Sequence, residues 1–209
     1  MAAKFVDLTL TLDNKTPVFP GDPPVIVEPI ASLEKDGCSI HSFSFPGHCS
    51  THLDAPAHFI AGGLKIDQIP MEWLVGEGIK ISQPENTKVI ELSGDLFKSK
   101  PKIVLIQTNY INTIQSKSYF TDHPLLSEKS AKILIAAGVK MVGMDWPSPD
   151  KEPFNIHKIL LAKNVLILEN VCNLDLLPAS GFRVHVLPLK SPTDGAPARV
   201  IAEIMGESL

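Results

Sequence analysis

Hydrophobic and polar positions keep two different rhythms in the two halves of this chain. Residues 4–12, Lys-Phe-Val-Asp-Leu-Thr-Leu-Thr-Leu, alternate apolar and polar side chains and predict a strand with one buried face. Strands are also predicted over 25–30 and over 38–45, where Ile40, Phe43 and Phe45 sit beside Ser42 and Ser44. Gly62-Gly63 then breaks the chain, 66–74 predicts a short helical turn around Pro70, and 78–82 and 88–92 read as short strands. The second half is built from longer apolar blocks. Residues 102–107 form an apolar run of strand length, and 127–137 have helical character, with Ser127 as N-cap and Gly138 as the stop. A buried strand over 139–144, a short helix over 155–162, a second buried strand over 164–168 and strands at 183–189 and 199–204 complete the chain. Strand–helix–strand alternation after a strand-rich half predicts one mixed α/β domain.

Composition narrows the partners. Of 209 residues, 44% are hydrophobic and 20% charged, ordinary for a soluble globular domain. A net charge of -4 argues against a nucleic-acid partner. No apolar run approaches the length of a bilayer span, and the first seven residues lack the apolar core of a signal peptide, so no membrane partner is expected. The three cysteines, Cys38, Cys49 and Cys172, are odd in number and show no Cys-x-x-Cys spacing, which fits a reducing cytoplasm. Thr16 to Pro24 contains four prolines and one glycine, a rigid loop that either connects elements or presents Phe19 to a pocket.

The chemistry concentrates between 48 and 58, where His48, His52, Asp54 and His58 stand within eleven residues. Imidazole and carboxylate are the ligand types of zinc and related divalent ions. In an extended segment, side chains at 48, 52 and 54 share one side, and Pro56 turns the chain before His58. A helix would bring 48 and 52 together but swing Asp54 away. The same parity points Cys49 away from His48. Any one of these histidines alone reads more simply as a hydrogen-bonded core or surface residue. One segment rarely closes a metal site, so further donors are required. Glu169 stands just beyond the apolar run at 165–168, where α/β folds commonly place chemistry. His157 lies on the preceding helix, and the tight connection at Lys163-Asn164 lets the chain double back toward Glu169.

The run His48-Cys-Ser-Thr-His52-Leu-Asp54-Ala-Pro-Ala-His58-Phe resembles a family signature, His-x-Gly-Thr-His-x-Asp-x-Pro-x-His-Phe. It belongs to the metal-dependent cyclase/hydrolase family that includes bacterial kynurenine formamidases. Thr16-Pro-Val-Phe-Pro-Gly-Asp22, Gly143-Met-Asp-Trp-Pro-Ser148, the region around Glu169-Asn170 and Asp194-Gly-Ala-Pro-Ala-Arg199 are further matches in the same order. The resemblance implies a mixed α/β domain with a central barrel-like sheet flanked by helices, of the swivelling β/β/α type. It implies that His48, His52 and Asp54 bind one ion, and that Asp54 bridges to a second held by His157 and Glu169. His58 would be the acid/base. Two zinc ions per subunit are implied, with manganese as the alternative, in a homodimer or homotetramer. The implied substrate is a small aryl-formamide or related amide, with the proline-rich loop and Phe19 at its pocket; apart from the resemblance, Trp73 or Trp146 could pack on its organic part.

Three positions depart from the family pattern. Ser50 replaces glycine, Phe19 replaces the tryptophan of typical kynurenine formamidases, and Gln107 stands where relatives often carry arginine. Lactam or lactone hydrolysis and cyclisation would use the same ions. A metal-stabilised binding protein without turnover is the rival of a different class. The chain contains no Gly-x-Ser-x-Gly elbow, phosphate-binding loop or Gly-x-Gly-x-x-Gly fingerprint, so a serine nucleophile and a nucleotide cofactor have no support.

Overall fold

The computed structural model describes residues 4–204. In chain order its elements are β1 (Lys4–Asp7), β2 (Ile26–Ala31), α1 (Leu33–Asp36), β3 (Ile40–Ser44), β4 (His52–Asp54), α2 (Met71–Leu74), β5 (Val75–Ser82) and β6 (Val89–Ile90). They continue with β7 (Ile103–Gln107), β8 (Leu125–Leu126), α3 (Glu128–Ala136), β9 (Met141–Met144), α4 (Asn155–Leu161), β10 (Leu166–Glu169), β11 (Phe182–Pro188) and β12 (Gly195–Ile204). Neighbouring strands run β12-β11-β5-β7-β9-β10-β4, and β4 pairs again with β12, closing a seven-stranded barrel with β1 added beside β12. The pairs β5–β7, β7–β9 and β9–β10 are parallel, and the remaining barrel pairs are antiparallel. The expected mixed α/β domain with a barrel-like sheet is the fold observed.

Alternation along β7 explains why its sequence is apolar throughout. Ile103 and Leu105 join the barrel interior with Met141, Leu166, Leu168, Phe182 and Val200. Val104 and Ile106 point outward into a second core with Ala131 and Leu134 of α3 and Leu160 and Leu161 of α4. A strand buried on both faces has no polar side to show in its pattern. The N-cap reading at Ser127 holds, since its hydroxyl accepts from Ser130 N at 3.1 Å.

The same parity positions the chemistry. Leu53 of β4 and Leu168 of β10 face the barrel interior, so His52, Asp54 and Glu169 face outward, toward the side covered by α4. Across the β4–β10 pair, Glu169 lies directly opposite His52 and Ile167 opposite Asp54.

Several boundaries differ from the sequence expectations. The strand predicted over 4–12 ends at Asp7, because the chain then leaves the ladder and Leu10 N bonds the hydroxyl of Thr51 at 2.9 Å. The two strands expected over 25–30 and 38–45 form a separate ribbon with α1 between them. The strand expected over 88–92 contracts to β6, whose partner β8 had no alternation to reveal it. No helix among the described residues is long and apolar enough to cross a membrane.

Candidate metal centre

The segment 48–54 is extended only over His52–Asp54. Ser50 adopts a left-handed conformation with φ 56°, which breaks the parity expected to align His48 with the strand. The kink still delivers His48, whose Nδ1 lies 2.8 Å from Asp54 Oδ1. It also accounts for the Ser50 departure, because a left-handed position suits glycine and costs a side chain about 1–2 kcal/mol. Ser50 is tied down instead: its hydroxyl donates to Leu10 O at 3.2 Å and its carbonyl accepts from Asn170 Nδ2 at 2.9 Å.

Asp54 is the hub. His52 Nε2 lies 3.4 Å from Asp54 Oδ1 and 3.3 Å from Glu169 Oε2. His157 Nε2 lies 3.7 Å from Asp54 Oδ2 and 3.6 Å from Glu169 Oε1. All four side chains are buried, Asp54 to within 1% of full burial. A second group, His48, Asp54 and His58, also places one donor atom of each residue within 4.8 Å of the others. His48 and His58 stack with ring centroids 3.9 Å apart.

Each of the three histidines next to Asp54 has its far nitrogen bound to an oxygen acceptor. His48 Nε2 donates to Asp194 Oδ2 at 3.0 Å, His52 Nδ1 to Ser50 O at 3.1 Å, and His157 Nδ1 to Asp150 Oδ1 at 2.5 Å. Carbonyl and carboxylate oxygens only accept, so these ring nitrogens carry the protons and the opposite nitrogens face Asp54. That is the outer arrangement expected of metal-ligating histidines. The inner arrangement agrees. His52 Nε2 and Glu169 Oε1 are fully buried and make no hydrogen bond. Donor separations of 3.3–3.7 Å are too long for hydrogen bonds of good geometry, yet each suits an oxygen and a nitrogen ligand about 2.0–2.2 Å from an ion between them. Buried carboxylates need a cation, and among the described residues only histidines pair with Asp54 and Glu169. The donor set therefore fits a divalent ion.

Protonation follows the same logic. Burial opposes charge on His52 and His157, but Asp54, Glu169 and, for His157, Asp150 outweigh it and raise both to about 10. Burial likewise opposes charge on His48, which Asp54 and Asp194 nevertheless raise. Asp54, against its own burial, is held well below the usual carboxylate range by His48 and His52. His58 moves the other way, lowered by burial and by the charges of His48 and His157. Its Nδ1 donates to Asp194 Oδ2 at 2.9 Å.

These groups form the floor of a cavity of about 300 Å³ whose walls include Phe19, Phe59, Phe120 and Phe154. Phe19 meets Phe120 edge-on at 5.8 Å, so the proline-rich loop presents its ring to the cavity. Neither tryptophan lines it: Trp146 is fully buried in the outer core, and Trp73 packs on the barrel core beneath Lys140. Gln107 bonds Ser82 and Asn109 and also lies outside the cavity lining. Cys49 lines the cavity, but burial and Asp22 push its thiol up to about 11, which leaves it a poor nucleophile. Asp150 and Asp194, which orient histidines, were not singled out from the sequence as site residues. Asp194 does stand in the C-terminal motif, whereas Asp150 carries no local signal.

Fold and site together define a closed α/β barrel with a histidine–carboxylate centre of metal-binding chemistry under an aromatic cavity. The chain belongs to the Cyclase family, whose model matches residues 6–151. It is 28% identical to the kynurenine formamidase of Bacillus cytotoxicus, over 96% of this chain and 97% of that protein. Isatin hydrolase A of Labrenzia aggregata, solved with benzyl benzoate bound, superposes with a TM-score of 0.87 at 25% identity, over 98% of this chain and 94% of that one. A structure described as a predicted metal-dependent hydrolase of Bacillus stearothermophilus gives a TM-score of 0.75 at 25% identity, over 97% and 99% of the two chains.

Proposed function

We propose that this protein is a metal-dependent hydrolase that cleaves a small aryl-formamide or a related amide. The observation that carries the proposal is the convergence of His52, Asp54 and Glu169 below an aromatic cavity, with His157 against the other oxygens of both carboxylates and with His52 Nε2 and Glu169 Oε1 unpaired. His52, Asp54 and Glu169 would hold one divalent ion, and His48 and His157, each beside Asp54, would contribute to a second. When bound, such ions supply Lewis-acid polarisation and lower the pKa of water toward about 7.

The chain's own residues supply the rest. His58, lowered by burial, is neutral near pH 7, and its Nδ1–H is committed to Asp194, which leaves Nε2 to accept a proton. His58 takes that proton from the attacking water and returns it to the departing nitrogen as the carbon–nitrogen bond breaks. Asp194 keeps the ring in this tautomer and offsets its charge while it holds the proton. A cavity of about 300 Å³ is at the small end of ligand pockets and matches a substrate with one or two rings. Phe19, Phe120 and Phe154 hold the aromatic part and keep water from it.

Lactam opening is the second reading, favoured by the TM-score of 0.87 to an isatin hydrolase. A purely binding role is disfavoured by His58, which is oriented by Asp194 although the donor set around His52 does not need it. The expected assembly is a homodimer or homotetramer, and the β2–β3 ribbon with α1 exposes Ile30, Leu33 and Phe43 for such a contact. Light scattering that returns a monomer at every concentration would refute the assembly. The three unpaired cysteines suit a cytoplasmic setting.

The test is metal content by elemental mass spectrometry, with N-formylkynurenine and isatin turnover measured before and after chelation. About two zinc or manganese ions per chain, and formamide turnover that returns with metal, are expected. Turnover of isatin alone would favour lactam opening. No metal uptake on reconstitution with zinc or manganese would overturn the proposal.

A further inference from the structure

Tyr119 lies outside the metal centre and outside the cavity lining, yet it is buried to within 1% of full burial with its hydroxyl engaged. The hydroxyl donates to Asn170 Oδ1 at 2.7 Å. The facing of the Asn170 amide follows from its other neighbour: Ser50 O can only accept, so the amide turns Nδ2 toward it and Oδ1 toward the phenol. Asn170 Nδ2 is thereby aimed at Ser50 O, 2.9 Å away. Ser50 O also accepts from His52 Nδ1 at 3.1 Å, so one carbonyl is held by the amide on one side and holds the imidazole on the other. Thr51 closes the clamp by donating its hydroxyl to Asn170 O at 2.7 Å.

This linkage explains how two left-handed residues, Ser50 at φ 56° and Asn170 at φ 57°, are kept in register beside the two ligand candidates they adjoin. It also joins the metal centre to a cavity wall. Phe120 follows Tyr119 directly, lines the cavity and packs edge-on to the Tyr119 ring at 5.2 Å. Burial, together with the charges of Asp145 and Glu169, holds the Tyr119 phenol well above its ordinary range, so it remains a neutral donor throughout the working pH range.

We infer that Tyr119 is a positioning residue. Through Asn170 and the Ser50 carbonyl it fixes the tautomer and direction of His52, and thereby the affinity of the centre for its ion. The inference rests on the proposed role of His52 as a metal ligand. Outer partners of ligating histidines typically change metal affinity by about 10–100-fold, and the chain of bonds here predicts a loss of at least about 10-fold for Tyr119→Phe.

The experiment titrates zinc alone into chelated full-length protein against a competing chromophoric chelator, for wild type, Tyr119→Phe, Asn170→Asp and Phe120→Leu. Tyr119→Phe removes one oxygen and keeps the packed ring. Asn170→Asp keeps the acceptor for Tyr119 but sets a carboxylate oxygen against the Ser50 carbonyl. Both are expected to bind zinc at least about 10-fold more weakly. On any amide the wild type hydrolyses, both should lose kcat at saturating zinc with KM little changed. Phe120→Leu should raise KM and leave zinc affinity alone. A Tyr119→Phe protein with wild-type zinc affinity and kcat overturns the inference, as does a Phe120→Leu protein that weakens zinc equally, since that would mark a general packing effect. A wild type that binds no zinc refutes instead the metal-centre reading on which the inference stands.

Discussion

Replacing Gly195 with alanine tests the site through a residue that contributes no functional group. Gly195 opens β12 opposite Asp54 on β4, and His48 packs against its α-carbon. An added Cβ would lie 2.3 Å from His48 Cε1 and 2.6 Å from Nε2, whereas ordinary contact begins at 3.4 Å. The imidazole would therefore have to retreat by about 1.1 Å. It cannot do so and keep both the 2.8 Å contact with Asp54 and the 3.0 Å bond to Asp194. Overpacking of this kind costs about 1–3 kcal/mol, and a hydrogen bond to a charged group is worth about 1.5–3 kcal/mol. Because the ring is partly exposed and can swing toward the cavity, we expect a loss of about 2.5 kcal/mol in urea unfolding, at the low end of that combined range. Displacing one reacting or ligating group by about 1 Å commonly lowers turnover about 100-fold, which is the expected loss with the best amide substrate. Gly94→Ala is the control: a Cβ there meets nothing within 4 Å and the residue has no left-handed φ, so stability should stay within about 0.5 kcal/mol. Wild-type turnover and zinc content in Gly195→Ala would refute the argument that His48 belongs to the working site.

Asp54→Asn keeps the shape of the hub but removes its charge; zinc affinity should fall by more than the about 10–100-fold of an outer-shell change, measured by chelator competition. Wild-type zinc binding in that variant would exclude Asp54 as a ligand. In chelated protein, His52 and His157 at about 10 are raised above their ordinary 6.5, so protonation stabilises the fold. That contribution is complete below pH about 6.5 and is lost as pH rises toward about 10, so the chelated Tm should fall across this window. Zinc affinity should strengthen over the same range as the metal meets fewer protons, and a pH-independent affinity would contradict the assignment. Cys38 is exposed, whereas Cys49 and Cys172 are pushed up to about 11 by burial and neighbouring acids. A maleimide at pH 7 should label one site quickly, and rapid labelling of Cys49 would show that its thiol is not suppressed.

The sequence carried the ligand types and the mixed architecture, but not the geometry that makes them a site. His52 and Asp54 were legible because two-residue parity holds inside β4, and Glu169 because it closes the apolar run that becomes β10. Parity failed at His48, where one left-handed residue at Ser50 turned the chain, and the structure brings His48 to Asp54 by a kink instead of a strand. The length of 4–12 was overestimated because its alternation continues after the backbone has left the ladder, with Leu8 N still bonded to Val200 O but Leu10 N on Thr51. Such a hand-over from strand partner to side chain leaves no mark in local hydrophobicity.

The orienting groups were hidden for a different reason. Asp150 meets His157 only seven residues on, through a turn that hydrophobic pattern does not reveal, whereas Asp194, Asn170 and Tyr119 act across up to 146 positions of chain. The partners of these last three are set by which strands become neighbours, above all by β4 entering between β10 and β12 to close the barrel. That closure puts His52 against Glu169 on one side and Asp54 against Gly195 on the other, and only then can Asp194 reach both His48 and His58. The barrel and the centre thus depend on the same three-residue strand. A substitution that loosened β4 from β12 would open the sheet and separate His58 from Asp194 in one step. It follows that ion binding at His52, Asp54 and Glu169 should stabilise the barrel itself, by an amount that grows with free zinc as binding to the folded state alone requires. Thermal unfolding at rising zinc concentration measures this, and a Tm that stays constant through saturation would show that the ion binds elsewhere.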